Sequence, residues 1–365
     1  MSITQSDRLF LRETIELAER GRFTCAPNPC VGCVIVKDGD VIGRGFHQRA
    51  GLGHAEVNAL TDAQNAGHEV AGATVYVSLE PCAFVGRTPA CANTLVEAGV
   101  GRVVIALTDP HPRVAGAGVD IMRDAGIEVV ETQELDAKAL IEGYVKRVIT
   151  GMPWVRIKTA TSLDGGIAMA SGESQWITGP EARKDVQYWR ARSDAIVTGI
   201  GTVLKDDPAL TVRDRHLAPY DQPLRVVMDH QLRTPPSAKV VEDEHATLLV
   251  HDPSTDIPQA LMDRSGVSFF ALAQGEGLDA LLRHLAESGC NEVLVEAGAG
   301  VVGSFVSSNA WDEWISYLAP KWLGGNSQRV VGFDPTFLAN APTGQIVDTQ
   351  QFGDDVRLTI RANRE

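Results

Sequence analysis

ATVYVSLEPCAFVGRTPACANTLVEAGVGRVVIAL, residues 73–107, decides the architecture of the first half of this chain. Its opening run, 73–79, is apolar and β-branched, as a buried strand is, and it ends at Glu80-Pro81-Cys82. A helical pattern follows near 91–98, then a second apolar strand at 102–107. Working outward, 31–36 (VGCVIV) and 41–46 (VIGRGF) flank Lys37-Asp38-Gly39-Asp40. An Asp-Gly pair between two strand-like runs predicts a hairpin. A helix is expected over 54–66, and Leu11, Ile15 and Ala18 mark an amphipathic helix at the N-terminus. Downstream come a short helix at 119–125, a strand near 127–130 and a helix over 135–149. Strands alternating with helices predict an α/β layer whose sheet is mostly parallel after the first hairpin.

Thr150-Gly151-Met152-Pro153 breaks this pattern, and a strand is expected at 154–160. The boundary is placed here, giving domains 1–150 and 151–365, as the length of 365 residues suggests. The second half again mixes strands (194–199, 224–229, 246–251, 293–297) with helices (180–192, 278–288), and 205–222 reads as loop. Net charge is −14, of which −5 falls on residues 1–150. Neither half has the basic excess that a phosphate backbone demands, so a nucleic-acid partner is disfavoured. No apolar run is long enough to cross a bilayer, and the N-terminus does not read as a signal peptide. A cytoplasmic location is expected, with six reduced cysteines rather than a disulfide framework.

His54 and Glu56 open a predicted helix; Cys82 follows Pro81 and is expected to open a helical turn; Cys91 comes after eight intervening residues. Zinc takes imidazole and thiolate in tetrahedral geometry, and three protein ligands leave one position for water. A zinc deaminase needs one His, two Cys and a Glu that moves protons without binding metal. His54, Cys82 and Cys91 are therefore the expected ligands and Glu56 the expected acid–base, with a structural zinc as the alternative. Cys30-Val31-Gly32-Cys33 offers a more familiar Cys-x-x-Cys spacing, but no second ligand pair accompanies it. Cys33 is read as core and Cys30 as incidental; Cys25 and Cys290 are read as packing residues.

These strings, with Pro27-Asn28-Pro29-Cys30-Val31-Gly32 and Gly86-Arg87-Thr88-Pro89, resemble the pyrimidine deaminase half of the RibD family, the bifunctional deaminase–reductases of riboflavin biosynthesis. The resemblance implies a cytidine-deaminase-like three-layer α/β/α domain, with Asn28 on the pyrimidine ring and the 86–89 loop bordering the substrate. The family often has Ser-His after the Pro-Cys; here Ala83-Phe84 stand in that place.

In the second half, Gly298-Ala299-Gly300 follows a strand and precedes an apolar helical run, a weak sign of a phosphate site at a helix N-terminus. It is not a Rossmann fingerprint, since no βαβ unit with a following acidic residue is visible. Arg183, Lys184, Arg190, Arg192 and Arg213 form a local basic set that reads equally as solvated surface or as a sugar-phosphate site. KTATSLDGGIAMASGESQWITG (158–179), DVQYWRARSDAIVTGIGTVLKDDPALTVR (185–213) and VEAGAGVVGS (295–304) resemble, in order, the reductase half of the same family, which has a dihydrofolate-reductase-like α/β fold. The resemblance implies an NADPH site made by Ala160, Trp176, Thr202 and Asp206 with Gly298, Ala299, Gly300, Val301, Val302, Gly303 and Ser304. It sets Ser174, Arg190, Leu210, Arg213 and Glu296 on a ribose phosphate substrate, and Lys158 as the group orienting the reacting ribose. Read from the residues alone, Trp176 and Leu210 would be core and Asp206 a turn cap.

The expected function is zinc-dependent hydrolytic deamination of a phosphoribosylaminopyrimidine, followed by NADPH-dependent reduction of its ribosyl chain. Small-molecule substrates and a homo-oligomer, dimer or tetramer, are the expected partners. A nucleic-acid base deaminase and a non-catalytic zinc scaffold are the competing readings; charge speaks against the first and Glu56 against the second.

Overall fold

The computed structural model describes residues 3–84, 90–112, 114–217, 221–273 and 275–363. The chain divides into two compact units, Met1–Gly151 and Met152–Glu365.

The first unit opens with α1 (Gln5–Glu19), the hairpin β1 (Gly32–Lys37) and β2 (Asp40–Phe46), and α2 (Ala55–Asn65). Then follow β3 (Thr74–Val77), α3 (Cys91–Glu97), β4 (Arg102–Ile105), α4 (Ala117–Asp124) and β5 (Glu128–Glu131). Two short helices, α5 (Leu135–Leu140) and α6 (Glu142–Thr150), close it. The sheet order is β2-β1-β3-β4-β5, antiparallel through β1 and parallel from β3 onward. The Asp38-Gly39 turn has both residues at positive φ, as the hairpin requires. Because β1, β3 and β4 are apolar on both faces, helices cover each side. Ala59, Leu95 and Met122 pack on one face; Leu11, Leu17, Leu140 and Tyr144 pack on the other. This is a three-layer α/β/α sandwich.

Asp7 fastens α1 to this sheet. It closes a capping box with Thr4, accepts a hydrogen bond from the Tyr76 hydroxyl at 2.7 Å and pairs with Arg102 at 2.7 Å. Arg102 thereby holds the buried Asp7 carboxyl well below the usual carboxylate range. The single helix expected over 135–149 is two, because Ile141 leaves helical dihedrals and its amide bonds back to Lys138.

The second unit begins with β6 (Trp154–Ser162), β7 (Gly166–Ala168), α7 (Pro180–Arg192), β8 (Ala195–Gly199) and α8 (Ile200–Asp206). Next come β9 (Leu224–Met228), α9 (Lys239–Glu242), β10 (Thr247–His251), α10 (Gln259–Met262), β11 (Val267–Ala271) and α11 (Gly277–Glu287). Last are β12 (Glu292–Val295), α12 (Ala299–Ser307), β13 (Glu313–Ala319), β14 (Gln328–Arg329), β15 (Gly344–Phe352) and β16 (Asp355–Ala362). Nine strands form one sheet, β11-β10-β9-β8-β12-β6-β13-β16-β15. It is parallel from β11 to β13, and β16 and β15 add antiparallel at one edge. β12, α12 and β13 do make a parallel crossover, with β6 between the two strands, a return that local sequence cannot show.

Arg156, buried on β6, pairs with Glu292 and, at 2.5 Å, with Glu313; Arg192 also pairs with Glu292, at 2.7 Å. Arg192 thus belongs to an internal ion network that satisfies buried charges, not to a phosphate site. Lys184 is exposed on α7.

Candidate functional site

In the first unit, two chain segments deliver the candidate metal ligands. His54 is the N-cap of α2, so its side chain leaves the helix start while Glu56 lies in the first turn. Cys91 opens α3. Cys82 does not open a helical turn as expected; it stands in irregular backbone, and its carbonyl accepts the N–H of Ala92 from α3. His54 Nδ1 lies 3.3 Å from Cys91 Sγ and 3.6 Å from Cys82 Sγ, and the Cys91 N–H points at Cys82 Sγ from 3.4 Å. One donor atom from each residue falls within 4.8 Å of the others. Three convergent donors, one imidazole and two thiols, suit zinc with a fourth position left for water.

The electrostatics agree with that donor set. Hydrogen bonding from Cys91 and His54 pulls the Cys82 thiol well below its ordinary value, and its proton-sharing partner Cys91 is pushed up. Glu56 is buried beside them. Burial, then the negative charge of Cys82, raises its carboxyl to about 7.

Two close approaches place these residues. A Cβ on Gly45 of β2 would lie 2.3 Å from the Ala55 carbonyl and 2.4 Å from the Ala59 amide, so only glycine lets α2 seat against the hairpin. Gly45→Ala is expected to cost about 1–3 kcal/mol by overpacking and to lift the His54–Glu56 turn. The thermal unfolding temperature of this unit should fall, and so should the metal occupancy of the His54–Cys82–Cys91 cluster. Glu80, which sequence reading passed over, holds the Cys82 turn. Its carboxylate accepts the N–H groups of Asp109 (3.1 Å), in the loop after β4, and of Gly116 (3.1 Å) and Gly118 (3.0 Å), where α4 begins.

Asn28 donates through Nδ2 to His47 Nε2 at 3.0 Å, and His47 Nδ1 donates to the Gly53 carbonyl at 3.1 Å. The two imidazole rings of His47 and His54 meet edge-on at 5.2 Å. His47 carried no signal in the sequence, since a single histidine after a strand is ordinary. Phe84 is exposed, with its ring 6.4 Å from His111. The 86–89 loop lies outside the described residues.

In the second unit, a cavity of about 1020 Å³ opens at the C-terminal ends of β6, β8 and β12. Lys158 and Ala160 line it from β6, and Ser174 and Trp176 from the loop before α7. Thr202 and Asp206 come from α8, with Leu210 and Arg213 beyond it. Glu296, Gly298, Ala299, Gly300 and Val301 complete that wall at the start of α12. Val302, Gly303 and Ser304 do not reach it. Val302 is core, Gly303 packs on Gly332, and Ser304 turns back to the Gly300 carbonyl. Trp176 is exposed beneath the Arg183 guanidinium, 4.5 Å from its ring centre, so it is not core. Leu210 is both buried and on the wall. Asp207 rather than Asp206 takes a capping bond, from the Lys239 N–H at 2.9 Å.

Glu296 is the charged centre of this cavity. Arg190 grips its carboxylate with Nε (2.6 Å) and Nη2 (2.9 Å), and Lys158 Nζ stands 3.7 Å away. Burial alone would raise this carboxyl; the two cations outweigh it and hold it at about 2. Arg190 also donates to the Thr211 carbonyl, so three of its five N–H groups are committed within the protein. Arg213 is exposed, and its side chain makes no hydrogen bond or ion pair among the described residues.

Comparison with known proteins matches residues 4–107 to the cytidine and deoxycytidylate deaminase zinc-binding region, and residues 153–358 to the RibD C-terminal domain. The riboflavin biosynthesis protein RibD of Haemophilus influenzae is 42% identical, covering 98% of each chain. The chain belongs to the RibD family. The Escherichia coli RibD protein is 43% identical over 97% of this chain and 99% of its own. Among solved structures, one form of Acinetobacter baumannii RibD superposes with a TM-score of 0.91 at 43% identity, covering 99% of both chains. A Thermotoga maritima deaminase/reductase gives 0.88 at 33%, covering 98% of this chain and 99% of its own. As in RibD proteins, a deaminase zinc-binding region precedes a reductase domain, and the protein is a bifunctional enzyme of riboflavin biosynthesis. No helix among the described residues is long and apolar enough to cross a membrane.

Proposed function

We propose that residues 1–150 are a zinc-dependent deaminase domain acting on diaminohydroxyphosphoribosylaminopyrimidine. Residues 151–365 are then an NADPH-dependent reductase domain that converts the ribosyl chain of 5-amino-6-(5-phosphoribosylamino)uracil to ribityl. The observation that carries the first half is the convergence of His54, Cys82 and Cys91 with Glu56 buried beside them. Zinc, when bound by these three, supplies Lewis-acid polarisation and an acidified water. Glu56 takes one proton from the water and delivers it to the ring nitrogen, then carries the second proton, left on the added hydroxyl, to the departing amine as the C–N bond breaks, so that ammonia leaves. Buried in the first turn of α2 beside the three donors, Glu56 is shielded from bulk water where it exchanges these protons. Asn28, oriented by His47, binds the pyrimidine edge.

For the second half, the cavity is of the size a dinucleotide and a ribotide need together. Open space at Gly300 and Gly201 lets phosphate oxygens approach the backbone there. NADPH, when bound, supplies a hydride to the anomeric carbon of the ribose. Lys158, held by Glu296, orients the opening sugar, and the uncommitted guanidinium of Arg213 anchors the substrate phosphate.

The test is an assay of the purified chain with the diaminopyrimidine ribotide. Ammonia release without NADPH, and NADPH oxidation when it is added, support both halves; failure of either removes that half. The cytoplasm is its proposed location, since all six cysteines are thiols and two serve as metal ligands. A homodimer is its proposed state. β15 is an edge strand with Ile346 and Val347 exposed, a surface that a second copy would cover.

A further inference from the structure

Cys25 and Cys30 stand on either side of the turn that carries Asn28. Their Sγ atoms are 2.9 Å apart, closer than two thiols pack and within a small movement of the roughly 2.05 Å of an S–S bond. Both side chains lie in the same core cluster, under α1, while Cys33 packs in the cluster on the opposite face of the sheet. The Cys-x-x-Cys spacing of Cys30 and Cys33 is therefore misleading, and the pairing partner is the more distant Cys25.

The turn between them is already tied down. The Cys25 N–H bonds to the Gly21 carbonyl at 2.9 Å, the Asn28 N–H to the Cys25 carbonyl at 3.0 Å, and Arg147 Nη2 to the Pro27 carbonyl at 2.9 Å. Pro27 and Pro29 restrict the rest. Joining the sulfurs therefore starts from a turn whose backbone is already fixed at three points.

We propose that Cys25 and Cys30 are a redox-active dithiol, converted reversibly by hydrogen peroxide into a disulfide that clamps the Asn28 turn. One sulfur attacks a peroxide oxygen, the O–O bond breaks and one water leaves, giving a sulfenic acid. The second sulfur attacks that sulfur, the S–O bond breaks and a second water leaves. Two electrons and both thiol protons pass to the peroxide. A dithiol reductant reverses the step by exchange. Cys30, the less buried of the two at 8% exposure against 3%, is the first to meet the oxidant. The clamp's bearing on deamination rests on the proposed role of Asn28; the pairing itself does not.

The test uses the zinc-loaded full-length enzyme. It is treated with hydrogen peroxide, denatured, alkylated with iodoacetamide and digested with trypsin. The peptide 23–37 contains Cys25, Cys30 and Cys33. The expected product carries one alkyl group, on Cys33, and a bond between the other two; prior reduction restores three alkyl groups. Cys30→Ser should abolish the bond while leaving ammonia release intact. With zinc content unchanged, the oxidised enzyme should keep its KM for the ribotide, because Asn28 stays in place. Three alkylated cysteines after peroxide, or a bond to Cys33, overturns the pairing. A many-fold rise in KM at full zinc occupancy overturns the claim of an undisturbed turn. If Asn28→Ala leaves KM unchanged, the role given to Asn28 fails, yet the peptide masses stay as they were.

Discussion

Glu56→Gln should lower ammonia release by about 1,000-fold, the scale of a lost general acid–base, while bound zinc and NADPH oxidation persist. The amide keeps the size of the side chain and its place in the first turn of α2. What it loses is the ability to take a proton from water and give it back. The three side chains that converge as candidate donors do not include Glu56, so stoichiometric zinc is expected to remain. The check is a paired measurement of zinc content and ammonia release on the same preparation. Zinc loss in parallel with activity would make Glu56 a ligand and remove its assigned role. Near-normal ammonia release would remove it altogether.

The second large effect concerns the reductase unit. Glu296→Ala leaves Lys158 and Arg190 buried without the carboxylate that compensates them. Removing one partner of a buried ion pair costs about 3–5 kcal/mol, so thermal unfolding of this unit should move to lower temperature. NADPH oxidation should fall by about 10²-fold, since the two cations lose the group that positions them. Ammonia release should not change. The acid limb of stability provides a separate readout. The Glu296 carboxyl sits at about 2, below its ordinary 4.5. Between those values the unfolded chain binds the extra proton, so stability rises with pH there. The contribution is present above pH 4.5 and is lost as pH falls through 2. The variant should show a shallower loss over that window in a denaturant titration. An unchanged acid limb would mean that Glu296 is not held by these cations.

Much of this molecule is legible locally. The strands of both sheets are short apolar runs between turn residues, and α7 is announced by Gly179-Pro180 at its start. His54, Glu56, Cys82 and Cys91 stand out because their side-chain chemistry is rare in combination. What stays hidden depends on pairing across long stretches of chain. Arg190 invites a reading as a free phosphate ligand, but Glu296, distant in sequence, occupies most of it. Glu80 resembles any glutamate before a proline until the start of α4 is brought against it. The Gly298 loop is read one turn too far, because only three-dimensional packing shows that Val302 faces the core and Gly303 abuts Gly332. The break at Ile141 escapes notice because apolar periodicity continues through it. Cys25 and Cys30 belong to different local patterns and meet only through the intervening turn.

The anchorage of Glu80 bears on how a metal would be taken up. One carboxylate gathers backbone amides from the start of another helix, so the strand-end turn bearing Cys82 is shaped when the polypeptide folds, not when an ion arrives. Capture of the ion then requires little ordering, and its departure leaves the scaffold standing.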